Sequence, residues 1–159
     1  MLPQRRRLHH VSPAWVKFSS LYFVTICCDQ RGLNELCSPQ TGDSLLTSAA
    51  FYHEKQRWWI DTFLLMPDHL HALLAFPKAE YLGEVVRRWK GYQAKQLNLD
   101  WQEGFFDHRI RSHESATEKR DYILMNPVRA GLVARPEDWP YVLSAIERAA
   151  ARPEDSPYR

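Results

Sequence analysis

Residues 62–76 read TFLLMPDHLHALLAF, two apolar runs separated only by Pro67 and Asp68. Each run has the length and side-chain content of a strand, and a Pro-Asp pair between them favours a tight turn, so the segment predicts a β-hairpin. Upstream, residues 21–28 (LYFVTICC) have the aromatic and β-branched character of another strand, with a turn near Gln30 to Gly32. A helix is expected between these strands, starting after Asp43 and running to about Trp58. Downstream, Leu82, Val85, Val86, Trp89 and Tyr92 recur at helical spacing and predict an amphipathic helix ending near Asn98. FFDHRIR, residues 105–111, reads as a short strand. A last helix begins at Ser112 or at Ser115, the latter opening a Ser-x-x-Glu capping box with Glu118. The order β, α, β, β, α, β, α matches an α+β, ferredoxin-like split βαβ plan. It predicts an antiparallel sheet with helices on one face, plus a C-terminal helix that carries Tyr122.

The chain has 159 residues, of which 45% are apolar, 25% charged and 13% aromatic, enough for one well-filled core and too apolar for a disordered chain. Three parts are expected: a basic N-terminal arm (1–20), a single domain (21–147) and a frayed tail (148–159). No apolar run reaches the ~18 residues that span a bilayer, and LYFVTICC starts too late for a secretory leader, so a cytoplasmic protein is expected. Cys27, Cys28 and Cys37 lack paired spacing and point to neither a disulfide framework nor a cysteine zinc site.

The net charge of +2 hides a segregated pattern. Arg5, Arg6 and Arg7 head the N-terminal arm, and Arg87, Arg88, Lys90, Arg109, Arg111 and Arg129 lie in a second basic stretch interspersed with aromatic residues. Cations attract a polyanion and rings stack unpaired bases, so these residues are candidate contacts to single-stranded nucleic acid. Arg109 and Arg111, two apart on a predicted strand, share one face.

His69 and His71 also sit two apart on a strand, so both imidazoles can be directed at one metal ion. Two ligands seldom hold a divalent ion, and a third is needed. Asn126 supplies a candidate because it lies one helical turn beyond Tyr122 on the same face. Pro127 complicates that turn: either the helix is kinked there, or Asn126 caps a fresh turn that Gly131 ends. Two imidazoles suit Zn²⁺ or Ni²⁺, whereas an amide oxygen with a phosphate suits Mg²⁺ or Mn²⁺.

Taken together, LLMPDHLHALLAFP, the Trp101 to Arg111 stretch and DYILMNPVRAGLVARPEDWPYVLS resemble the single-tyrosine HUH transposases, in particular the REP-associated tyrosine transposases. The resemblance runs from about Arg5 to Ile146. It implies that His69 and His71 are the HUH pair, that Asn126 is the third metal ligand and that Tyr122 is the nucleophile. It also implies a ferredoxin-like fold and Mg²⁺ or Mn²⁺ as cofactor. The partner it implies is single-stranded DNA with hairpin-forming, REP-like elements, cleaved and joined through a 5′-phosphotyrosine at the nucleoid by a monomer or homodimer. With one tyrosine in the motif, a two-tyrosine mechanism is excluded by the resemblance. Two other readings compete: a catalytically silent hairpin-binding protein, and a small metal-dependent hydrolase using the histidines with Asp68 or His108.

Overall fold

A computed structural model describes residue 8 and residues 12–144. Arg5, Arg6, Arg7 and the tail lie outside the described residues. Five strands, β1 (Leu21–Cys27), β2 (Trp59–Met66), β3 (His69–Ala75), β4 (Phe106–Ile110) and β5 (Val142–Ser144), form one sheet in the order β4-β1-β3-β2-β5. Every neighbouring pair is antiparallel. The first four strands in that order, with helices α1 (Pro39–Glu54) and α2 (Leu82–Leu97) as crossovers, make the split βαβ arrangement expected from the sequence. β5 was not expected. The segment after Trp139 carries no alternation long enough to read as a strand, yet Trp139 donates its indole N–H to the Leu65 carbonyl at 2.9 Å and its neighbours pair with β2.

Strand register assigns the faces, because directly opposed residues in an antiparallel pair share a side. Thr25 opposes His71, Cys27 opposes His69 and Phe23 opposes Leu73, so one face carries both histidines. The other face carries Val24, Ile26, Leu70 and Phe63, all buried. There α1 and α2 cover the sheet, with Trp89 of α2 against both Phe63 and Trp58 and with Gln93 of α2 donating to Ser48 of α1. The third helix, α3 (His113–Arg129), crosses the histidine face instead.

The helix ends differ in part from the expectation. α1 starts at Pro39, not after Asp43, because the Ser38 hydroxyl accepts from the Thr41 N–H and Pro39 occupies the first helical turn. Gly42 looks like a helix breaker in sequence. In the fold it lies under Tyr141, where a β-carbon would come within 2.6 Å of the ring. The helix stops at Glu54, before Gln56 at φ 57°, and not at Trp58. α2 ends where expected, with Asn98 in the left-handed region at φ 56°. Of the two possible starts for α3, Ser112 is the cap, its hydroxyl accepting from the Ser115 N–H at 3.1 Å.

α3 has two working stripes. Ala116, Arg120, Ile123 and Pro127 follow helical spacing and turn toward the sheet, Ala116 and Ile123 being buried. Arg120 meets Asp61 in a bidentate ion pair, with Nε to Oδ1 at 2.9 Å and Nη2 to Oδ2 at 2.8 Å. Asp61 is the extra residue at the register shift between Ile60 and Thr62, and such a bulge re-aims a side chain. The two side chains are only 5% and 15% exposed. Removing one partner strands the other's charge in a poorly solvated site. Arg120→Met is therefore expected to lower the unfolding free energy by about 3 kcal/mol. Adding Asp61→Leu should recover most of that loss, both read by urea denaturation.

Candidate active site

The His69 and His71 rings leave β3 on the same face, their centroids 4.8 Å apart. Each ring has one nitrogen engaged: His69 Nδ1 lies 2.7 Å from Asp68 Oδ1, and His71 Nδ1 lies 2.9 Å from Thr25 Oγ1. Such partners fix ring orientation and leave each Nε2 as the outward donor atom, as metal-binding histidines require. Asp68 is itself held by Arg31 at 2.9 Å and by the Gly32 N–H at 2.8 Å. Partial burial raises the Asp68 pKa, but the Arg31 guanidinium, the Gly32 N–H and the His69 ring outweigh it and hold the carboxyl well below its usual range.

His71 is buried, and burial first, then the nearby His69, Arg129 and Arg31, pushes its pKa down to about 3. The ring is thus neutral at physiological pH, the form that binds metal.

Tyr122 is 47% exposed, and its ring stands 6.0 Å from the His71 ring and 6.1 Å from that of Phe23. The second stripe of α3 surrounds it. The Lys119 ammonium lies 5.7 Å from the Tyr122 ring centroid and 5.1 Å from that of Phe23. The Arg129 guanidinium carbon lies 4.4 Å from the Tyr122 centroid, and the same side chain donates to the Tyr122 carbonyl at 2.6 Å. Asn126 falls on this stripe. Its Nδ2 is buried without a hydrogen-bond partner in the protein, the expected state of an amide whose partner is another molecule. Which amide atom is O and which is N follows from its partners, so the orphan marks the amide end as a whole. α3 runs through Pro127 to Arg129 and closes with Gly131 at φ 76°, so no separate turn begins at Asn126.

The donor set of two neutral imidazoles and one amide therefore fits a divalent ion. Among the described residues no three His, Cys, Asp or Glu side chains converge as a metal site, so neither Asp68 nor His108 completes a set with the histidines.

The cations expected at DNA divide by their surroundings. Arg129 packs on Tyr122. Lys90 departs from the expectation, being buried with its ammonium donating to the Gln102 and Gly104 carbonyls, so it ties α2 to the following loop. Arg87 pairs with Glu84 on its own helix. Arg88, Arg109 and Arg111 are exposed. Arg109 opposes Tyr22 and therefore sits on the helix-covered side of the sheet, not beside Tyr122. Sequence reasoning missed Thr25, Arg31 and Phe23 as site residues. No local pattern marks them, since strand register and helix docking bring them in.

Because the folded pKa of His71 lies below its ordinary 6.5, the unfolded chain takes up a proton that the folded chain refuses between about pH 6.5 and 3. The stability contributed by neutral His71 is complete above that window and is lost as pH falls through it. Imidazole ¹⁵N shifts are expected to report a neutral His71 in the folded protein at pH 5. Arg129→Ala should move its titration upward.

No family model matches the chain. The chain is similar to the REP-associated tyrosine transposase of Escherichia coli K12, 31% identical over 98 residues, covering 58% of this chain and 57% of that protein. A Haemophilus influenzae protein is 32% identical over 111 residues, covering 57% of this chain and 62% of its own. The chain thus spans about three fifths of the length of these curated relatives. Among solved structures, a REP-associated tyrosine transposase bound to a REP hairpin superposes with TM-score 0.69 at 23% identity, over 89% of this chain and 82% of that one. Over about three fifths of their length in sequence, the chain is similar to REP-associated tyrosine transposases, and it shares the fold of the solved one.

Proposed function

We propose that the protein is a metal-dependent single-stranded DNA endonuclease and strand transferase, a transposase acting beside hairpin-forming repeats through a 5′-phosphotyrosine. The observation that carries this reading is the half-exposed Tyr122 ring held 6.0 Å from a buried, neutral His71 whose partner His69 faces the same way. The similarity to the E. coli transposase supports the reaction class, and the hairpin bound by the structural relative supports the substrate class.

A free tyrosine ionises near pH ~10, so attack by its oxygen requires help with developing negative charge. Lys119 and Arg129 lie against the Tyr122 ring and supply a positive field as its oxygen gains charge. Arg129 also bonds to the Tyr122 carbonyl, which restrains the backbone that carries the nucleophile. In the reaction, the Tyr122 Oη–P bond forms and the P–O3′ bond breaks, so the phenol proton is lost and the departing 3′ oxygen gains one. Reversal by another 3′-OH joins strands without ATP, since the phosphodiester is conserved in the link.

His69, His71 and Asn126 are the residues that would hold Mg²⁺ or Mn²⁺. When bound there, the ion would neutralise a non-bridging phosphate oxygen and polarise phosphorus. Thr25 and Asp68 would then act through the imidazoles they orient. The hydrolase reading needs Asp68 or His108 as third ligand, and among the described residues neither converges with the two histidines as a metal site.

Tyr122→Phe is expected to retain hairpin binding and to abolish DNA covalently attached to protein on a denaturing gel, as should a chelator with the unaltered chain. Binding with no covalent species in either Mg²⁺ or Mn²⁺ would leave the hairpin-binding reading in its place. Thr25→Val keeps the side-chain shape but removes the partner of His71 Nδ1. It should weaken Mn²⁺ binding by about 10–100-fold in a calorimetric titration while the fold persists.

A further inference from the structure

On the opposite side of the sheet from Tyr122, a cleft of about 430 Å³ opens between the end of α1 and the exposed side of α2, lined by Phe51, Tyr52, Lys55, Arg57 and Arg88. Its size falls within the ~300–1,000 Å³ of ordinary ligand clefts. Its composition is unusual for an idle surface. Phe51 is 56% exposed, so folding gains little from the ring. The Lys55 ammonium sits 5.6 Å from the centre of that ring. Arg57 is matched by Glu80 at 3.3 Å, but among the described residues no carboxylate pairs with Lys55 or Arg88. The cleft therefore presents two aromatic rings beside two uncompensated cations.

We infer that this cleft is a second contact for single-stranded DNA, in which a base stacks on Phe51 while Lys55 and Arg88 hold the adjoining phosphates. The inference rests on the proposed DNA-processing function. It adds a place where the strand is gripped away from the reacting phosphate. A ring accepts any base and a flexible cation follows any backbone, so the contact is indifferent to sequence. It also accounts for Arg88, which the fold sets apart from the cations around Tyr122. A small free anion would need the cations but not the exposed ring, and an apolar partner would need the ring but not the cations.

The test uses the full chain and a fluorescent twenty-nucleotide oligothymidylate, with affinity followed by anisotropy across a salt series. Lys55→Ala with Arg88→Ala is expected to weaken binding and to flatten the plot of log affinity against log salt by about 0.7 for each lost phosphate contact. Phe51→Ala is expected to weaken binding by about 5- to 140-fold, the span of one stacked base, and to leave the salt slope unchanged. A bromodeoxyuridine version of the probe should crosslink to Phe51 or Tyr52. All three side chains lie at the surface, so circular dichroism should match the unaltered chain. If that chain binds the oligonucleotide and both variants match it in affinity and slope, the second contact is overturned while the proposed enzyme stands. If the unaltered chain does not bind the oligonucleotide, the second contact is likewise overturned, and the proposed enzyme stands or falls separately on the covalent capture of hairpin DNA.

Discussion

The Asp61–Arg120 ion pair is the constraint on which the candidate site depends. The β-bulge at Asp61 turns its carboxylate toward the crossing helix, and the forked Arg120 guanidinium takes both oxygens at 2.8 and 2.9 Å. The pair fixes α3 in rotation as well as in position. With Arg120 turned to the sheet, helical geometry directs Lys119, Tyr122, Asn126 and Arg129 along an adjacent stripe toward the histidines. A buried ion pair contributes little net stability, because desolvation offsets its attraction. Here its consequence is registry: it selects one docking of the helix that carries the tyrosine.

The histidines are prepared by the same economy of neighbours. Thr25 reaches His71 because β1 and β3 pair in a register that sets them opposite, and Asp68 reaches His69 from the turn beside it. Burial keeps His71 neutral, while Arg31 and the Gly32 N–H keep Asp68 an anion that can accept from the His69 ring. The imidazoles are thus oriented without any charge on the buried one. Arg129 contributes twice, packing on the Tyr122 ring and opposing protonation of His71. Its place in a basic run suggested a loose phosphate contact, and its packing gives it a position within the site.

The sheet also explains why two faces serve different ends. α1 and α2 cover one side, where Trp89 of α2 packs with Trp58 and Phe63, so that side supplies much of the core. The other is crossed by α3 alone and leaves the histidine end accessible beside a half-exposed Tyr122. Gly42 shows how local cost is accepted for such packing. A residue that weakens a helix is kept where the Tyr141 ring leaves no room for a β-carbon.

Much of this was legible before any coordinates. The two apolar runs of residues 62–76 broken at Pro67-Asp68, the helical spacing of Leu82 to Tyr92 and the order of elements are local signals that determine the strands and helices, and the i to i+2 spacing of His69 and His71 on a strand gives their shared direction. The i to i+4 spacing of Tyr122 and Asn126 likewise follows from helical geometry alone. What the sequence could not determine are the contacts between distant residues. Thr25 and His71 are 46 residues apart, and Arg120 and Asp61 are 59 apart. β5 forms because Val142, Leu143 and Ser144 find β2, and Lys90 turns inward because two loop carbonyls need a donor. Strand register, helix docking and the fate of each cation depend on which surfaces meet. That is a property of the packed chain, which periodicity along the sequence does not encode.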